Sequence, residues 1–472
     1  MTAAAHAAAG TGTAWPHPRT RPREFGLLLA VGAILAVGSL SLGLTRTGRL
    51  GFADAAGFAG YVAVLALAHL ALTLSGRRVD EILLPVMGLL GGIGLLLMER
   101  LPQGTVQQHI GDLTLGLGTL QLGWLSVSIA VAVSLAIFVR SERWLRLYRY
   151  TWAAAGLALL ALTFAFGRDL NGSRLGLSIG PIGFQPSELL KVILVVFFAA
   201  YLAENRVLLA NARRRLAGPL TIPPLPYLLP ALAMLGLALG IVVIEKDLGA
   251  ALLFYVVFLG LYFAATGSRT DVALGLLLFA VGCVVLYQLF GVVRERVDIW
   301  LNPWSDPLGN GFQVIQALHA FARGGILGTG LGAGLPLISG HLPIPAVHTD
   351  FPFAALGEEL GMAGVMGLLG CYLVLVTRGF RIAASAPDDF RALLCAGLAL
   401  VIGSQAAIIA AGNLKLIPLT GITLPFISYG GSSLLANGVV VGLLLAFSDR
   451  GPEPPPAPRR GRRLHLRRRA AR

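Results

Sequence analysis

Asp350 closes a stretch from His341 to Phe353, HLPIPAVHTDFPF, just where the chain turns into a long apolar run. A carboxylate at such a boundary can act as general base for a sugar hydroxyl once its surroundings orient it. Ordinary carboxylates titrate near ~4, so it stands ionised at neutral pH. Pro345 and Pro352 limit how far the stretch flexes. The same residues also suit a plainer job, with Thr349 or Asp350 as N-cap of the following helix. Glu358 and Glu359, about two turns on, then complement the start of that helix.

Three further clusters place polar groups beside apolar runs. Gln185-Pro186-Ser187-Glu188-Leu189-Leu190-Lys191 opens one such run, with Ser187 suited to a cap and Glu188 three residues from Lys191 on one helical face. Ionisable groups within a span are costly unless paired or functional, so these two form a structural pair or bind an anionic headgroup. Glu245-Lys246-Asp247 sets three charges in a tight turn, where Asp247 suits the N-cap of the next helix. The string from Gly324 to Gly334, GGILGTGLGAG, can cradle phosphate through backbone N–H groups. No strand precedes it and no Lys-Ser/Thr ends it, so neither a dinucleotide fingerprint nor a P-loop is present. A tightly folded loop on the membrane is the alternative.

The elements that must hold these groups follow from composition. Of 472 residues, 56% are hydrophobic and 13% charged, with mean hydropathy +0.77. A water-soluble domain of this size would expose too much apolar surface, so the bilayer is the expected solvent. Twelve apolar runs lie at about 25–45, 54–75, 81–98, 121–139, 150–167, 187–203, 226–244, 248–266, 272–290, 354–376, 392–412 and 430–447. All are near the ~20-residue spanning length. Backbone groups cannot stay unpaired in lipid, so each run is a helix. The expected fold class is an all-α polytopic membrane bundle. Cys283, Cys371 and Cys395 fall inside these runs, without metal or redox spacing, and read as small buried hydrophobes.

Net charge is +14, yet nine Arg lie in residues 450–472, directly after the last run. That is a basic tail facing anionic lipid, and no nucleic-acid-binding fold accompanies it. Residues 1–24, rich in Ala, Pro and Arg, read as a disordered cytoplasmic terminus. The run after them is too long for a signal-peptide core and is retained as a helix. With the amino terminus inside, inner segments hold 26 Lys and Arg and outer segments 10, Lys191 lying within a span. The excess favours both termini in the cytoplasm. One long loop, about 291–353, then lies outside, with shorter outer segments at 99–120, 168–186 and 413–429. Inner loops are short and contain no nucleotide site.

Taken in order, these motifs resemble the SEDS family (shape, elongation, division and sporulation proteins), which includes RodA, FtsW and SpoVE. The matching residues include Asn171-Gly172, Gln185 to Lys191, Asp247-Leu248-Gly249, Arg296 with Trp300-Leu301-Asn302-Pro303, and Gly311-Phe312-Gln313. The glycine string, His348-Thr349-Asp350-Phe351 and Gly357-Glu358-Glu359-Leu360-Gly361 follow. The most specific block is Ile417 to Ser433, IPLTGITLPFISYGGSS. The resemblance places a ten-span core at 80–449 behind two extra amino-terminal helices at 25–79. Those helices, and Glu245-Lys246-Asp247 where most members have Pro-Asp, are more similar to actinobacterial RodA than to FtsW. The chain departs from the family habit at Pro343-Ile344-Pro345, at Pro352 and at Leu175-Gly176-Leu177.

The resemblance implies a bacterial plasma-membrane peptidoglycan glycosyltransferase serving cell elongation, shape or division. It would polymerise lipid II onto a lipid-linked glycan strand, with a class B penicillin-binding protein as partner. Asp350 matches the aspartate the family uses as its base. Substrate contacts carried over are Lys191, Glu188, Arg174, Lys246, Asp247, Arg296, Gln313, His348 and Ser432. Lys191 ranks first among cations for the leaving diphosphate, ahead of Arg174, Lys246, Arg296 or a divalent cation (Mg or Mn). No other cofactor is implied. Two rival classes stand beside this one. A lipid II flippase tends to show inverted repeats and helices interrupted at the midplane, whereas no repeat is visible here and the charged motifs gather on one side. A non-catalytic scaffold recruiting a transpeptidase is the other.

Overall fold

All twelve apolar runs fall in helices of the computed structural model, which describes residues 19–101, 108–110, 113–166, 168–170, 173–179, 182–211, 214–217, 220–222, 224–334, 344 and 346–449. The helices are α1 (Pro22–Thr47), α2 (Ala55–Leu74), α3 (Leu83–Arg100), α4 (Leu117–Phe138), α5 (Arg143–Leu147), α6 (Arg149–Phe166), α7 (Pro186–Asn211) and α8 (Leu225–Ile244). They continue as α9 (Leu248–Thr266), α10 (Arg269–Leu289), α11 (Gly291–Leu301), α12 (Phe312–Gly324), α13 (Pro352–Ala384), α14 (Asp389–Asn413) and α15 (Gly431–Ser448). Among the described residues, eleven helices are long and apolar enough to cross a membrane. The run at 150–167 forms α6, of 18 residues. The chain is a multi-pass helical membrane protein. The disorder expected over 1–24 does not extend to its end, since α1 begins at Pro22 and Arg21 and Glu24 are buried; residues 1–18 and the tail at 450–472 lie outside the described residues.

Small residues let the central helices meet closely, as membrane packing requires. A Cβ on Gly438 of α15 would lie 2.4 Å from Ser128 Oγ of α4, and one on Gly442 would lie 2.8 Å from Ala132 Cα. Ser128 Oγ donates to the Leu434 carbonyl at 2.6 Å, fixing the same contact. At the other extreme, α10 buries none of its residues. Cys283 on α10 is therefore exposed, contrary to the buried reading, while Cys395 on α14 is buried.

Short antiparallel strands, which hydropathy does not announce, decorate the helix connections: β1 (Gln108–Ile110) with β2 (Leu113–Leu115), then β3 (Arg168–Leu170), β4 (Ser173–Ile179) and β5 (Ile182–Phe184), then β6 (Arg214–Ala217) with β7 (Leu220–Ile222). The long loop at 291–353 is not irregular throughout, since it contains α11, a 3₁₀ turn at Pro303–Ser305 and α12. Buried Val314, Ile315, Ala317 and Ala320 seat α12. Phe321 meets Phe353 of α13 edge-on, with ring centroids 5.9 Å apart.

α13 is broken at Gly361, where φ is 66° and ψ −172°. The break departs from the uninterrupted span expected at 354–376. From Met362 to Ala384 the helix runs about 34 Å at ~1.5 Å per residue, enough to cross the bilayer alone. The interruption therefore sits at the mouth of the bundle, not at its midplane. The glycine string seals it. Thr329 N–H donates to the Glu358 carbonyl (3.0 Å), Gly330 N–H to that of Glu359 (2.9 Å), and Met362 N–H to that of Gly325 (2.9 Å). Gly328 has φ 81°, and a Cβ there would lie 2.2 Å from the Glu359 carbonyl oxygen. These N–H groups serve the fold, which favours the folded loop over the phosphate cradle.

Candidate active site at one mouth of the bundle

Asp350 sits in a turn that two other segments hold, the end of α14 and residues 424–429. Its N–H donates to the Ala346 carbonyl at 2.9 Å. Asn413, the last residue of α14, donates Nδ2 to the Asp350 carbonyl (2.9 Å) and accepts the Ala354 N–H on Oδ1 (3.2 Å). Ser428 Oγ donates to the Thr349 carbonyl (2.6 Å) and accepts the Leu424 N–H (2.8 Å), while Tyr429 N–H donates to the His348 carbonyl (2.8 Å). The LPFISYG segment is thus a strap across the HTD turn. Phe426 takes a left-handed φ of 66° within it, and Tyr372 OH anchors the Pro425 carbonyl at 2.6 Å.

The capping reading of this turn fails. Phe351 occupies the N-cap of α13 without a side-chain bond, and Pro352 opens the helix. The Asp350 carboxylate is left for the cavity it lines, about 300 Å³ in volume. Burial pushes its pKa up to about 6; the Arg296 charge and a hydrogen bond from Thr349 oppose that, and Asp247 adds slightly to it. At neutral pH it still stands mostly ionised, as a base must. Arg296 on α11 lines the same cavity and reaches the carbonyls of Leu419 (3.5 Å) and Thr420 (3.3 Å). Gln313 of α12 joins them, along with Glu295, Trp300, Asn310 and Lys415.

The other expected contacts are dispersed. Lys191 is 2% exposed and donates to Glu188 (2.5 Å), Gln405 (2.9 Å) and Asn437 (3.2 Å), which occupies all three of its N–H groups. Its geometry is that of a structural pair, so its rank as first cation for a diphosphate is revised. Glu188 also accepts from Thr423 Oγ1 at 3.3 Å. Ser187 is not a cap, because α7 begins at Pro186; its hydroxyl donates to Asp247 at 3.2 Å. Asp247 does cap α9, accepting the Ala250 N–H at 3.0 Å. Gln185, Glu188, Lys191 and Asp247 line a second void of about 20 Å³, room for about one water. It touches the Asp350 cavity only through Gly421.

Burial raises the Asp247 pKa, against the Ala250 and Ser187 hydrogen bonds. Neighbouring Glu245 is pushed up to about 7 by burial and then by Asp247. Lys246 is exposed at φ 64° and lines neither void. Ser432 Oγ accepts the Gln185 N–H at 2.9 Å. The His348 ring packs by that of Tyr429, centroids 6.2 Å apart, and burial lowers its pKa. Arg174 falls on β4, with its side chain outside the described residues, as are Asn171 and Gly172. Glu358 pairs with Arg323 (3.0 Å) and Glu359 with Arg100 (2.6 Å), so both brace the broken helix instead of decorating its start.

Two residues the motif reading passed over prove central to the geometry. Asn413 clamps the Asp350 turn, and Lys415 puts a second cation in the cavity. Each follows an apolar run with no periodic mark, and only the charge of Lys415 offered a signal.

Fold and site together define a polytopic membrane protein with an ionisable carboxyl group, Arg296 and Lys415 lining one cavity at a mouth of its bundle. The chain belongs to the FtsW/RodA/SpoVE family, described as "Cell cycle protein", whose model matches residues 80–451. It is 40% identical over 391 residues to the peptidoglycan glycosyltransferase RodA of Mycobacterium tuberculosis (strain ATCC 25618 / H37Rv), covering 82% of each chain. To that of Mycobacterium leprae (strain TN) it is 36% identical over 441 residues, 93% of this chain and 92% of the other. A solved chain from work on structural coordination of polymerization and crosslinking by a peptidoglycan synthase complex is 31% identical. It superposes with TM-score 0.60, over 79% of this chain and 98% of that one.

Proposed function

We propose that this protein is a peptidoglycan glycosyltransferase that polymerises lipid II into β-1,4-linked glycan strands at the outer face of the plasma membrane. Asp350 takes the proton of the 4-hydroxyl on the acceptor's N-acetylglucosamine. The freed oxygen attacks the anomeric carbon of the donor's N-acetylmuramic acid with inversion, and polyprenyl diphosphate leaves. Both substrates are tethered by lipid, so a site at a bundle mouth lowers the entropy cost of their encounter. The leaving group gains negative charge, which a fixed cation stabilises. The observation that carries this reading is that Asp350 and Arg296 line one cavity.

The 26-to-10 distribution of Lys and Arg supports both termini in the cytoplasm and the cavity outside. A class B penicillin-binding protein would supply the crosslinking partner. Among the described residues, no group of three or more His, Cys, Asp or Glu side chains is arranged to hold a metal ion. A magnesium or manganese ion would enter as companion of the diphosphate, whose oxygens provide ligands.

Purified protein given lipid II, with and without a penicillin-binding partner, tests the proposal through the length distribution of its glycan products. Polymer from the native chain and none from Asp350→Asn is the expected result. Native-length polymer from Asp350→Asn removes the base. A chain that moves lipid II across liposomes and never joins it would restore the flippase reading, which the placement of the α13 break at the mouth disfavours.

A further inference from the structure

We propose that Lys415, acting with Arg296, binds the diphosphate of the lipid-linked substrate; the inference rests on the glycosyl-transfer reading above. α14 ends in a turn that normally demands glycine. Lys415 N–H donates to the Gly412 carbonyl (3.1 Å) and Leu416 N–H to that of Ala411 (2.8 Å), the paired bonds of a Schellman cap. Lys415 stands at its left-handed position with φ 58°, where a Cβ is disfavoured and glycine is usual. After α1 and α9 the equivalent left-handed position is glycine, Gly48 and Gly267, and after α8 it is Lys246, at φ 64°. What separates Lys415 from Lys246 is its surroundings, since Lys415 lines the Asp350 cavity and Lys246 lines neither void.

Lys415 is part of that cavity's lining together with Arg296, Glu295 and Asp350. Its carbonyl accepts the Trp300 indole N–H at 3.0 Å, which ties the cap to α11, the helix that carries Arg296. Among the described residues its Nζ has only the Leu301 carbonyl, at 3.5 Å, beyond the range of a good hydrogen bond. Arg296 is similarly underused, with carbonyls at 3.3 and 3.5 Å and no ion pair among the described residues. The carboxylates in the cavity are Glu295, which accepts from the Asn310 side-chain amide, and Asp350. Two cations with donors to spare, on two elements joined by the Trp300 bond, suit an anion with several oxygens. The contrast is Lys191, whose donors are all taken. The bland account, a lysine complementing the C-terminal end of a helix, gives Lys415 no part in diphosphate binding.

Product inhibition by added polyprenyl diphosphate, measured on the full-length protein in the lipid II assay, separates the two. Lys415→Gly eases the backbone and removes the charge; Lys415→Met removes the charge alone; Lys415→Arg keeps it. The Gly and Met variants should raise the inhibition constant and the lipid II KM about tenfold or more, while Arg stays within about threefold. Thermal melting of Lys415→Gly should be no lower than native. Native inhibition in Lys415→Gly, or an equal loss in Lys415→Arg, overturns the inference. Direct binding of polyprenyl diphosphate to Asp350→Asn, with and without Lys415→Gly, distinguishes its failure from that of the polymerase reading. Binding that ignores Lys415 defeats the anion site, whereas turnover by Asp350→Asn defeats the assigned base.

Discussion

At the end of the bundle away from the cavity, Arg77 donates to Asp449 at 2.9 Å, and its remaining nitrogens reach carbonyls of Val139 (2.9 Å) and Ala446 (3.2 Å). Arg391 pairs with Glu142 at 2.6 Å, and Arg378 with Asp80. These pairs tie α4, α13, α14 and α15 to one another and to the 75–82 connection. At the cavity end, Arg296 and Lys415 meet, among the described residues, only carbonyls at 3.3 to 3.5 Å. The far end uses these cations to close the structure; the cavity end does the same with Arg100 and Arg323 but leaves Arg296 and Lys415 facing a void. The difference teaches that a basic residue is available to a ligand when its partners are withheld. Charge alone does not make it one.

The comparison breaks most visibly at Asp350. Replacing it by Asn should lower the polymerisation rate by about 10²–10⁴-fold, the usual worth of a general base, with Tm unchanged. Next in size is Asn413→Ala, which frees the Asp350 carbonyl and the Ala354 N–H. Small displacement of a base is costly, so kcat should fall about 10–100-fold while KM stays nearly native.

The acid limb of kcat/KM gives a smaller effect, but one more specific to the cavity. Asp350 acts as a base only when ionised, and its pKa lies at about 6. Activity should hold above that pH and fall tenfold per unit below it. Arg296 holds the value down, so Arg296→Gln should move the limb to higher pH; a limb that stays put would detach the arginine from the base. The smallest catalytic effect is expected at the opposite end. Arg77→Ala should cost about 1–3 kcal/mol of stability, read as a lower Tm, with kcat within twofold of native.

Much of the architecture was legible before any coordinates. Each apolar run became a helix because a lipid-facing backbone must satisfy its own hydrogen bonds. Asp247 as a cap was readable from its place in a three-residue turn. The break at Gly361 was not, because glycine within an apolar run also serves close packing, as Gly438 and Gly442 do. Only the meeting of Gly361 with the glycine string distinguishes the two uses.

Span number, the candidate base and the family resemblance were properties of the chain read alone, since hydropathy, motif order and charge are local. Which cations share the Asp350 cavity was decided by tertiary structure. Asp350 meets Asn413, Arg296 meets Thr420 and Trp300 meets Lys415 across 63, 124 and 115 positions of chain. Whether a lysine's donors are used up, as in Lys191, or left over, as in Lys415, depends on neighbours that remote. Hydrogen-bond satisfaction belongs to the packed bundle, and no window along the sequence contains it.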